Sequence, residues 1–228
     1  MKKRDIAISD IHGCYKTFRE LVEERLQLTE SDTLYLLGDY IDRGPSSKAV
    51  IDYILQLQKN GYKVLCLRGN HEQMLLDATH NLSMLRMFRK YGGKQTLESY
   101  GCTVAELRYH RHFQFFQNLK YYIELEDYYL VHAGFNFRTS TPFLDTYAML
   151  WVRDWYHQLD RTILDGKIIV HGHTPIRENQ ILSMKAEMNQ TLFMNIDAGC
   201  FYHKKMCALD LTNQKLYFQD CLDKVDYS

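Results

Sequence analysis

Five short segments of this 228-residue chain are rich in aspartate, histidine, asparagine and glycine. They offer carboxylate, imidazole and amide-oxygen donors and no thiolate. Such donors suit Mn²⁺, Fe or Zn²⁺ in a catalytic site better than a structural zinc held by sulfur. The segments are DIHG (10–13), GDYIDRG (38–44), GNHE (69–72), HAG (132–134) and HGHT (171–174).

A pair of divalent metals bound by such donors would suit the hydrolysis of phosphate esters. A phosphate ester is anionic and repels hydroxide, so a catalyst must neutralise charge and generate a nucleophile near neutral pH. Two metal ions about 3.5 to 4 Å apart do both, and metal binding brings the pKa of water from about 15.7 toward about 7. The segments therefore predict a two-metal phosphoesterase site.

The same segments resemble the GDxHG, GDxxDRG, GNHE, HAG and GHT signatures of calcineurin-like metallophosphoesterases, specifically the phosphoprotein phosphatase branch. One position departs from the pattern, because Ser9 stands where the family usually has glycine before Asp10. That glycine is structural, so the departure leaves the ligand set intact. Residues 195–199 (NIDAG) also resemble the closing strand and turn of the family.

The resemblance implies a set of metal ligands. The expected ligands are Asp10 and His12 for the first metal, Asn70, His132 and His173 for the second, and Asp39 as the bridge. A bridging carboxylate offsets the repulsion between two cations. Two Mn²⁺ ions are the expected cofactor, with Fe or Zn²⁺ as alternatives. Only His173 matches the ligand position of the last segment, so His171 is expected to hydrogen-bond outside the ligand shell.

The resemblance also implies residues that handle the proton and the phosphate. His71 is expected to be the general acid, held protonated by the Asp42 carboxylate, because an imidazole with a pKa near 6.5 suits this role. Arg43 carries a planar fork that matches phosphate oxygens. Arg153, after a tryptophan, resembles a second phosphate-binding arginine, and Asn70 is expected to contact substrate as well as metal.

Three functions follow from these expectations. The first is a metal-dependent phosphoric ester hydrolase, most like a serine/threonine protein phosphatase, in which activated water attacks phosphorus without a covalent phosphoenzyme. The alternative is a bis(5'-nucleosyl)-tetraphosphate hydrolase. Symmetrically cleaving relatives usually lack the aspartate that stands here as Asp42 and usually have aspartate where this chain has Glu72. The resemblance therefore favours asymmetrical over symmetrical cleavage within this alternative. A non-catalytic metal-binding scaffold is the remote alternative, because such proteins characteristically lose ligands that this chain retains.

The elements that must position these residues form an α/β pattern. Strands are predicted over 5–9, 33–37, 62–67, 121–125, 128–132, 167–171, 190–196, 206–211 and 215–220, with helices over 15–28 and 46–59. The segments follow strands, as in α/β proteins with chemistry at the carboxyl ends of strands. The resemblance implies two packed mixed β-sheets flanked by helices, in four αββα layers. Residues 1–228 are expected to form a single domain, with a helical lobe at about 73–118.

The amino-acid composition limits the classes of binding partner and the cellular compartment that we expect. Lys plus Arg and Asp plus Glu both number 28, so no nucleic acid or acidic membrane face is expected, and the partner is a phosphorylated substrate. No apolar run reaches the roughly 20 residues of a membrane helix. The six cysteines are widely spaced without a CxxC pair and read as reduced, mostly buried thiols of a cytoplasmic protein. A monomer is the default expectation.

Overall fold

In the computed structural model, which describes residues 3–202 and 204–223, nine strands form two sheets. The first sheet has the order β3-β2-β1-β8-β9 and the second the order β4-β5-β6-β7. The strands are β1 (Asp5–Ile8), β2 (Thr33–Leu36), β3 (Lys63–Cys66), β4 (Tyr122–Glu124), β5 (Tyr128–Val131), β6 (Ile168–His171), β7 (Phe193–Asn195), β8 (Lys205–Asp210) and β9 (Lys215–Asp220).

Helices connect these strands and cover the outer faces of the sheets. They are α1 (Tyr15–Glu20), α2 (Ser47–Lys59), α3 (Asn70–Ala78), α4 (Leu82–Phe88), α5 (Lys94–Tyr100), α6 (Val104–Leu107), α7 (Phe113–Gln117), α8 (Thr146–Trp151), α9 (Arg161–Leu164) and α10 (Glu178–Thr191). Five of them, α3 to α7, follow one another where the sequence predicts a helical lobe. No helix of the described ranges is long and apolar enough to cross a membrane.

Alternation along the strands assigns the layers of the fold, because successive side chains of a strand point to opposite faces. Ile6 and Ile8 of β1 pack in a cluster with helices α1 and α2, whereas Ala7 packs in a cluster with strands of both sheets. On β5, Leu130 lies in the cluster between the sheets, and Val131 lies in an outer cluster with Met149 of α8. The predicted αββα sandwich is confirmed.

Parallel pairing brings the five polar segments to one edge of the sandwich. In the first sheet β1 pairs with β2 and β2 with β3 in parallel, and in the second β5 pairs with β6 and β6 with β7 in parallel. Each segment begins at or just after the carboxyl end of one of these strands. The fold therefore gathers at one place side chains that are separated by up to 163 positions in the sequence.

Two predicted elements are wrong at one end. The strand predicted over 190–196 begins only at Phe193, because residues 190 and 191 form the last turn of α10, which ends with Leu192 in a left-handed conformation. The apolar residues Ile181 and Met188 of α10, seven positions apart, are buried on one face of this helix. The helix predicted over 15–28 changes at Leu21–Arg25 into a π-helical turn, and residues 26–28 lie outside it.

Candidate metal centre

Five of the predicted site residues have positive backbone φ angles, which are uncommon for residues other than glycine. The angles are 45° for His12, 52° for Asp39, 72° for Asp42, 67° for Arg43 and 70° for His173. Backbone strain of this kind persists only where the surrounding structure enforces it, and it clusters at functional sites. The loops are thus held in unfavourable conformations that aim their side chains at a common point.

A glycine allows the first two polar segments to lie against each other. A Cβ atom on Gly44 would clash with the main-chain carbonyl of His12, so the second segment can lie against the first only with glycine at this position. Ser9, the departure from the family pattern, is buried and donates a hydrogen bond from its hydroxyl to the Ile196 carbonyl at 2.9 Å. The serine therefore ties the first segment to the strand that closes the second sheet.

The Asp39 carboxylate lies at the centre of the predicted ligands. One oxygen, Oδ2, is 3.5 Å from Nε2 of His12 and 3.5 Å from Nε2 of His132. The other, Oδ1, accepts a hydrogen bond from the backbone N–H of His71 at 3.0 Å. Asp39 thus faces a histidine from each sheet with the same oxygen.

The donors predicted for the second metal lie together beside Asp39. The Asn70 side-chain oxygen is 2.9 Å from Nε2 of His132 and 3.0 Å from Nδ1 of His173. Donor atoms of Asp39, His132 and His173 lie within 4.8 Å of one another, and all three residues are buried. The structure therefore brings together the four residues predicted at this position.

The predicted donors of the first metal are arranged less symmetrically. Donor atoms of His12 and Asp39 lie within 4.8 Å of one another and of a donor atom of His71. The carboxylate of Asp10 instead accepts hydrogen bonds from the backbone N–H of His173, at 3.2 and 3.0 Å. Asp10 still lies close enough to Asp39 and His132 for their charges to affect its pKa.

The main-chain contacts of two histidines fit metal binding. Nδ1 of His12 lies 3.0 Å from the Ile41 carbonyl, and Nδ1 of His132 lies 3.0 Å from the Leu37 carbonyl. Each ring can thus donate its Nδ1 proton to the main chain and leave the Nε2 lone pair free to bind a metal ion. Metal-bound histidines usually make such a hydrogen bond with the ring nitrogen that does not bind the metal. Nε2 of His173 is buried and has no hydrogen-bond partner among the described residues. The other nitrogen of the ring, Nδ1, lies 3.0 Å from the Asn70 oxygen, so His173 would present Nδ1 to a metal ion beside Asn70.

His71 and Asp42 form a buried pair next to this cluster. Nδ1 of His71 is 2.6 Å from Oδ2 of Asp42, and both side chains are at most 1% exposed. The other Asp42 oxygen accepts a 2.6 Å hydrogen bond from Thr96, whose hydroxyl also accepts from the Asp42 backbone N–H at 2.8 Å. Thr96 therefore fixes the carboxylate that orients His71.

The two arginines predicted to bind phosphate make different contacts. The Arg43 guanidinium is 3.0 Å from Nε2 of His12 and 3.0 Å from Nε2 of His71. Arg153 is exposed and donates to the hydroxyl of Thr174 at 2.7 Å. In this arrangement Nε2 of His71 accepts a hydrogen bond, so proton donation from that atom requires Arg43 to turn away.

Burial sets the protonation of the cluster in the absence of bound cations. It raises the pKa of Asp10 to about 6 and that of Asp39 to about 7. It lowers the pKa of His12 and of His71, and the nearby Arg43 charge lowers both further. Deprotonated carboxylates at the centre therefore call for added positive charge, which divalent cations would supply.

Sequence reasoning missed a structural role for Glu72. Its fully buried carboxylate accepts hydrogen bonds from the backbone N–H groups of Asp39 at 2.9 Å, Tyr40 at 2.8 Å, Ile41 at 3.3 Å and Gly69 at 3.0 Å. Glu72 thus shapes the loop that carries Asp39. The last position of GNHE was visible in the sequence, but three of these four partners lie 31 to 33 positions away.

His171 is buried outside the proposed ligand set, and two aromatic residues, Trp151 and Tyr147, lie beside His173. Nε2 of His171 is 3.0 Å from the Tyr156 hydroxyl, a contact that agrees with the predicted hydrogen-bonding role. The indole of Trp151 meets the ring of His173 edge-on at 6.4 Å between centroids, and Tyr147 stacks on Trp151 at 6.3 Å. No sequence motif indicated this pair of rings, Tyr147 and Trp151, here named the aromatic wall.

Three curated relatives are similar in sequence to part or most of this chain. The zinc-dependent endopolyphosphatase of Saccharomyces cerevisiae is 35% identical over 40% of this chain and 27% of its own length. The symmetrical bis(5'-nucleosyl)-tetraphosphatase of Buchnera aphidicola is 41% identical over 30% of this chain and 24% of its own length. The asymmetrical bis(5'-nucleosyl)-tetraphosphatase PrpE of Oceanobacillus iheyensis is 26% identical over 88% and 86%. This chain thus spans about a quarter of the first two relatives and most of the third.

Solved structures share the fold. A protein serine/threonine phosphatase from Saccharomyces cerevisiae superposes with a TM-score of 0.65 and 14% identity, covering 98% of this chain and 81% of that one. At this identity the likeness concerns the fold alone. The profile of the calcineurin-like phosphoesterases matches residues 6–199, which span all five segments. The chain belongs to the calcineurin-like phosphoesterase family.

Proposed function

We propose that this chain hydrolyses phosphate monoesters with two divalent cations, and that phosphoserine or phosphothreonine in a protein is its first substrate class. The observation that carries the proposal is the buried contact of 2.6 Å between His71 and Asp42 beside the Asp39 carboxylate. A serine or threonine alkoxide is a poor leaving group and needs a proton from a positioned acid. A carboxylate-bound histidine at the cluster supplies such a group.

The cations would be held by side chains from both sheets. The proposed ligands are Asp10, His12, Asp39, Asn70, His132 and His173. Bound there, two divalent ions would neutralise the charge of the phosphoryl group and activate water for attack. Mn²⁺ is the proposed ion because the donors are oxygen and imidazole nitrogen, and Zn²⁺ and Fe suit the same donors.

The remaining residues bind the substrate and move one proton. Arg43 would exchange its hydrogen bonds to His12 and His71 for the phosphate oxygens of the substrate, and Arg153 would bind the same phosphoryl group. This exchange frees Nε2 of His71 to carry the proton that it donates to the departing oxygen. Asp42 stabilises the positive charge of His71 until transfer, and Thr96 keeps the Asp42 carboxylate in place.

A nucleotide substrate is the second candidate, and the aromatic wall favours it. A cleft of about 510 Å³ is lined by Met84, Met87, Tyr91, Tyr147 and Trp151, among others. Because Trp151 also touches the ring of His173, a purine stacked in this cleft would lie within a phosphate chain's reach of the proposed metals. PrpE of Oceanobacillus iheyensis, the relative with the longest match described above, is an asymmetrical bis(5'-nucleosyl)-tetraphosphatase.

Product analysis separates the two candidates. The Mn²⁺-loaded protein is incubated in parallel with a phosphothreonine peptide and with diadenosine tetraphosphate, and the products are quantified. Faster release of inorganic phosphate from the peptide supports the phosphatase. Faster formation of AMP and ATP from the dinucleotide makes the chain an asymmetrical nucleotide hydrolase, whereas two ADP would mean symmetrical cleavage.

Two variants serve as controls for this experiment. His71→Asn removes the proposed acid, and His80→Asn changes an exposed histidine away from the cluster. Peptide hydrolysis should depend on His71 and remain unchanged in His80→Asn. Bound metal without turnover of any phosphorylated compound would instead support the non-catalytic scaffold.

A further inference from the structure

Three cysteines from distant parts of the chain meet on the side of the first sheet that carries α1. Cys14 follows the DIHG segment, Cys200 follows the NIDAG segment, and Cys221 follows β9. Their sulfur atoms lie within 4.8 Å of one another. Cys14 and Cys200 are buried, whereas Cys221 is partly exposed. The group, here named the cysteine cluster, therefore has one side open to solvent.

The spacing of the sulfurs suits a shared metal ion. Zn–S bonds of about 2.3 Å in a tetrahedral site place ligand sulfurs about 3.8 Å apart. The present spacing, with an upper bound of 4.8 Å, requires inward shifts of about 1 Å at most. A disulfide would need two sulfurs at about 2.05 Å and would leave the third unpaired. Three convergent thiols thus match a metal better than a single covalent bond.

Hydrogen bonds of the main chain, Thr17 and Asp223 hold the frame of the cluster, and the Cys221 thiol adds one to the Asp223 carbonyl at 3.3 Å. The Asp223 carboxylate accepts from the backbone N–H of Lys16 at 3.2 Å and of Thr17 at 2.9 Å, and from the Thr17 hydroxyl at 2.7 Å. The backbone N–H of Cys221 donates to the Lys204 carbonyl at 2.9 Å. These bonds fix the segment after β9 against the start of α1, so Cys221 is already positioned against the other two thiols.

The cysteine cluster differs chemically from the candidate metal centre. The ligands proposed for that centre are oxygen and nitrogen atoms, whereas the cluster offers three sulfurs. Soft thiolates select ions such as Zn²⁺ or Cu⁺, and carboxylates and carbonyls favour harder ions. The cysteine cluster should therefore favour soft ions more strongly than the hydrolytic centre does, although Cys14 is only two positions from His12.

We propose that Cys14, Cys200 and Cys221 bind one thiophilic metal ion, of the class of Zn²⁺ or Cu⁺, independently of the metals of the hydrolytic centre. Each thiol that binds the ion releases its proton. The ion would link the loop after β1, the turn after β7 and the end of β9. A trigonal Cu⁺ needs only these three sulfurs, and Zn²⁺ would take a fourth ligand from solvent on the open side of Cys221.

Cadmium titration tests this proposal directly. The full chain is stripped with a chelator, reduced with a phosphine and titrated with Cd²⁺ while the ultraviolet absorption is recorded. Cadmium bound to thiolate gives a charge-transfer band, and cadmium bound to carboxylate and imidazole does not. We expect one equivalent of Cd²⁺ to saturate this band in the parent protein and in Asp39→Asn.

Matched cysteine variants decide the outcome. The band should be lost in the triple variant Cys14→Ser, Cys200→Ser, Cys221→Ser, weakened in Cys221→Ser alone and unchanged in Cys102→Ser. The single Cys221→Ser change keeps the test valid if the triple variant does not fold. Absence of the band from the parent protein, or an equal band in Cys221→Ser, would overturn the proposal and leave three protonated thiols that pack as small apolar side chains.

Discussion

The loops of the two sheets contribute unequally to the candidate metal centre. Those of the first sheet carry Asp39, which faces histidines of both sheets, together with the His71–Asp42 pair and Arg43. Those of the second sheet contribute two histidines, His132 and His173, that contact the Asn70 oxygen. In the proposed function the first sheet would therefore supply the proton donor and Arg43, while the second would complete a metal position and supply Arg153.

Removing the shared carboxylate should have the largest effect. Asp39→Asn leaves the shape of the side chain nearly unchanged but weakens the charge that offsets two adjacent cations. We expect the variant to lose metal from both positions and turnover to fall by more than the roughly 10²- to 10⁴-fold typical of a lost general acid. Elemental analysis of the metal-loaded variant and its kcat check this. Metal content equal to that of the parent protein would contradict the bridging role.

A substitution in a loop of the second sheet should remove one of the two proposed metal positions. His132→Asn deletes a buried imidazole whose Nε2 lies 3.5 Å from Asp39 and 2.9 Å from the Asn70 oxygen. We expect one metal ion to remain, bound by loops of the first sheet, with turnover close to background. Metal stoichiometry by calorimetry measures the effect. Retention of two tightly bound ions would show that the second sheet does not complete a position.

Loss of the proposed acid should separate proton transfer from metal binding. His71→Asn is expected to retain both metals while kcat on an alkyl phosphate falls about 10²- to 10⁴-fold. The loss should be much smaller with p-nitrophenyl phosphate, because nitrophenolate needs little protonation to leave. Comparing the two substrates in the parent protein and the variant tests this. Equal losses on both substrates would argue that His71 does not act as an acid.

The raised carboxyl pKa values predict how pH affects metal binding. Burial raises the pKa of Asp10 to about 6 and that of Asp39 to about 7, above the ordinary value for aspartate, so the metal-free fold binds more protons than the unfolded chain. The contribution of these two carboxyl groups to the stability of the metal-free protein should therefore fall as pH rises from about 4 to about 7. Metal binding displaces these protons, so affinity should rise by up to about tenfold per pH unit for each proton displaced.

Thermal unfolding measures this dependence with and without metal. We expect the melting temperature of the chelated protein to be lower at pH 8 than at pH 5, and the increase produced by Mn²⁺ to be larger at pH 8. The Asp5→Asn variant, at a half-buried carboxyl on the first strand, provides a matched control. An Mn²⁺ effect of the same size at both pH values would contradict the protonation argument.

The smallest expected effect concerns the residue that shapes the Asp39 loop. Glu72→Gln keeps one acceptor oxygen but replaces the other with a donor facing backbone N–H groups. We expect a loss of about 1 to 3 kcal/mol in the free energy of unfolding, with weaker metal binding and an unchanged preference between leaving groups. Urea unfolding of the metal-free variant measures the change. Unaltered stability would show that the four hydrogen bonds to Glu72 do not hold the loop.

The sequence predicted the parts of the molecule that depend on short segments. Motifs after β1, β2, β3, β5 and β6 carry their own residue types and turn glycines, and parallel strands bring such ends together. Helix α10 is missing from the predicted pattern, which has no helix between the strands over 167–171 and 190–196, although Ile181 and Met188 lie seven positions apart on the buried face of α10.

Features that arise only from tertiary contacts could not be predicted. The contact of Trp151 with His173 depends on where α8 packs, and the cysteine cluster joins residues 14, 200 and 221 without a local pattern. The six cysteines were expected to be mostly buried, but three are only partly buried, and all six are free. Spacing in the sequence carries little information about pairs so far apart, because the fold alone sets their distance.

Electron paramagnetic resonance of the Mn²⁺-loaded protein tests the central claim that Asp39 joins two metal positions. Two Mn²⁺ ions about 3.5 to 4 Å apart and bridged by a carboxylate are magnetically coupled. We predict the spectrum of a coupled pair in the parent protein and its loss in Asp39→Asn. The spectrum of a single isolated Mn²⁺ in the parent protein, at full loading, would contradict the account.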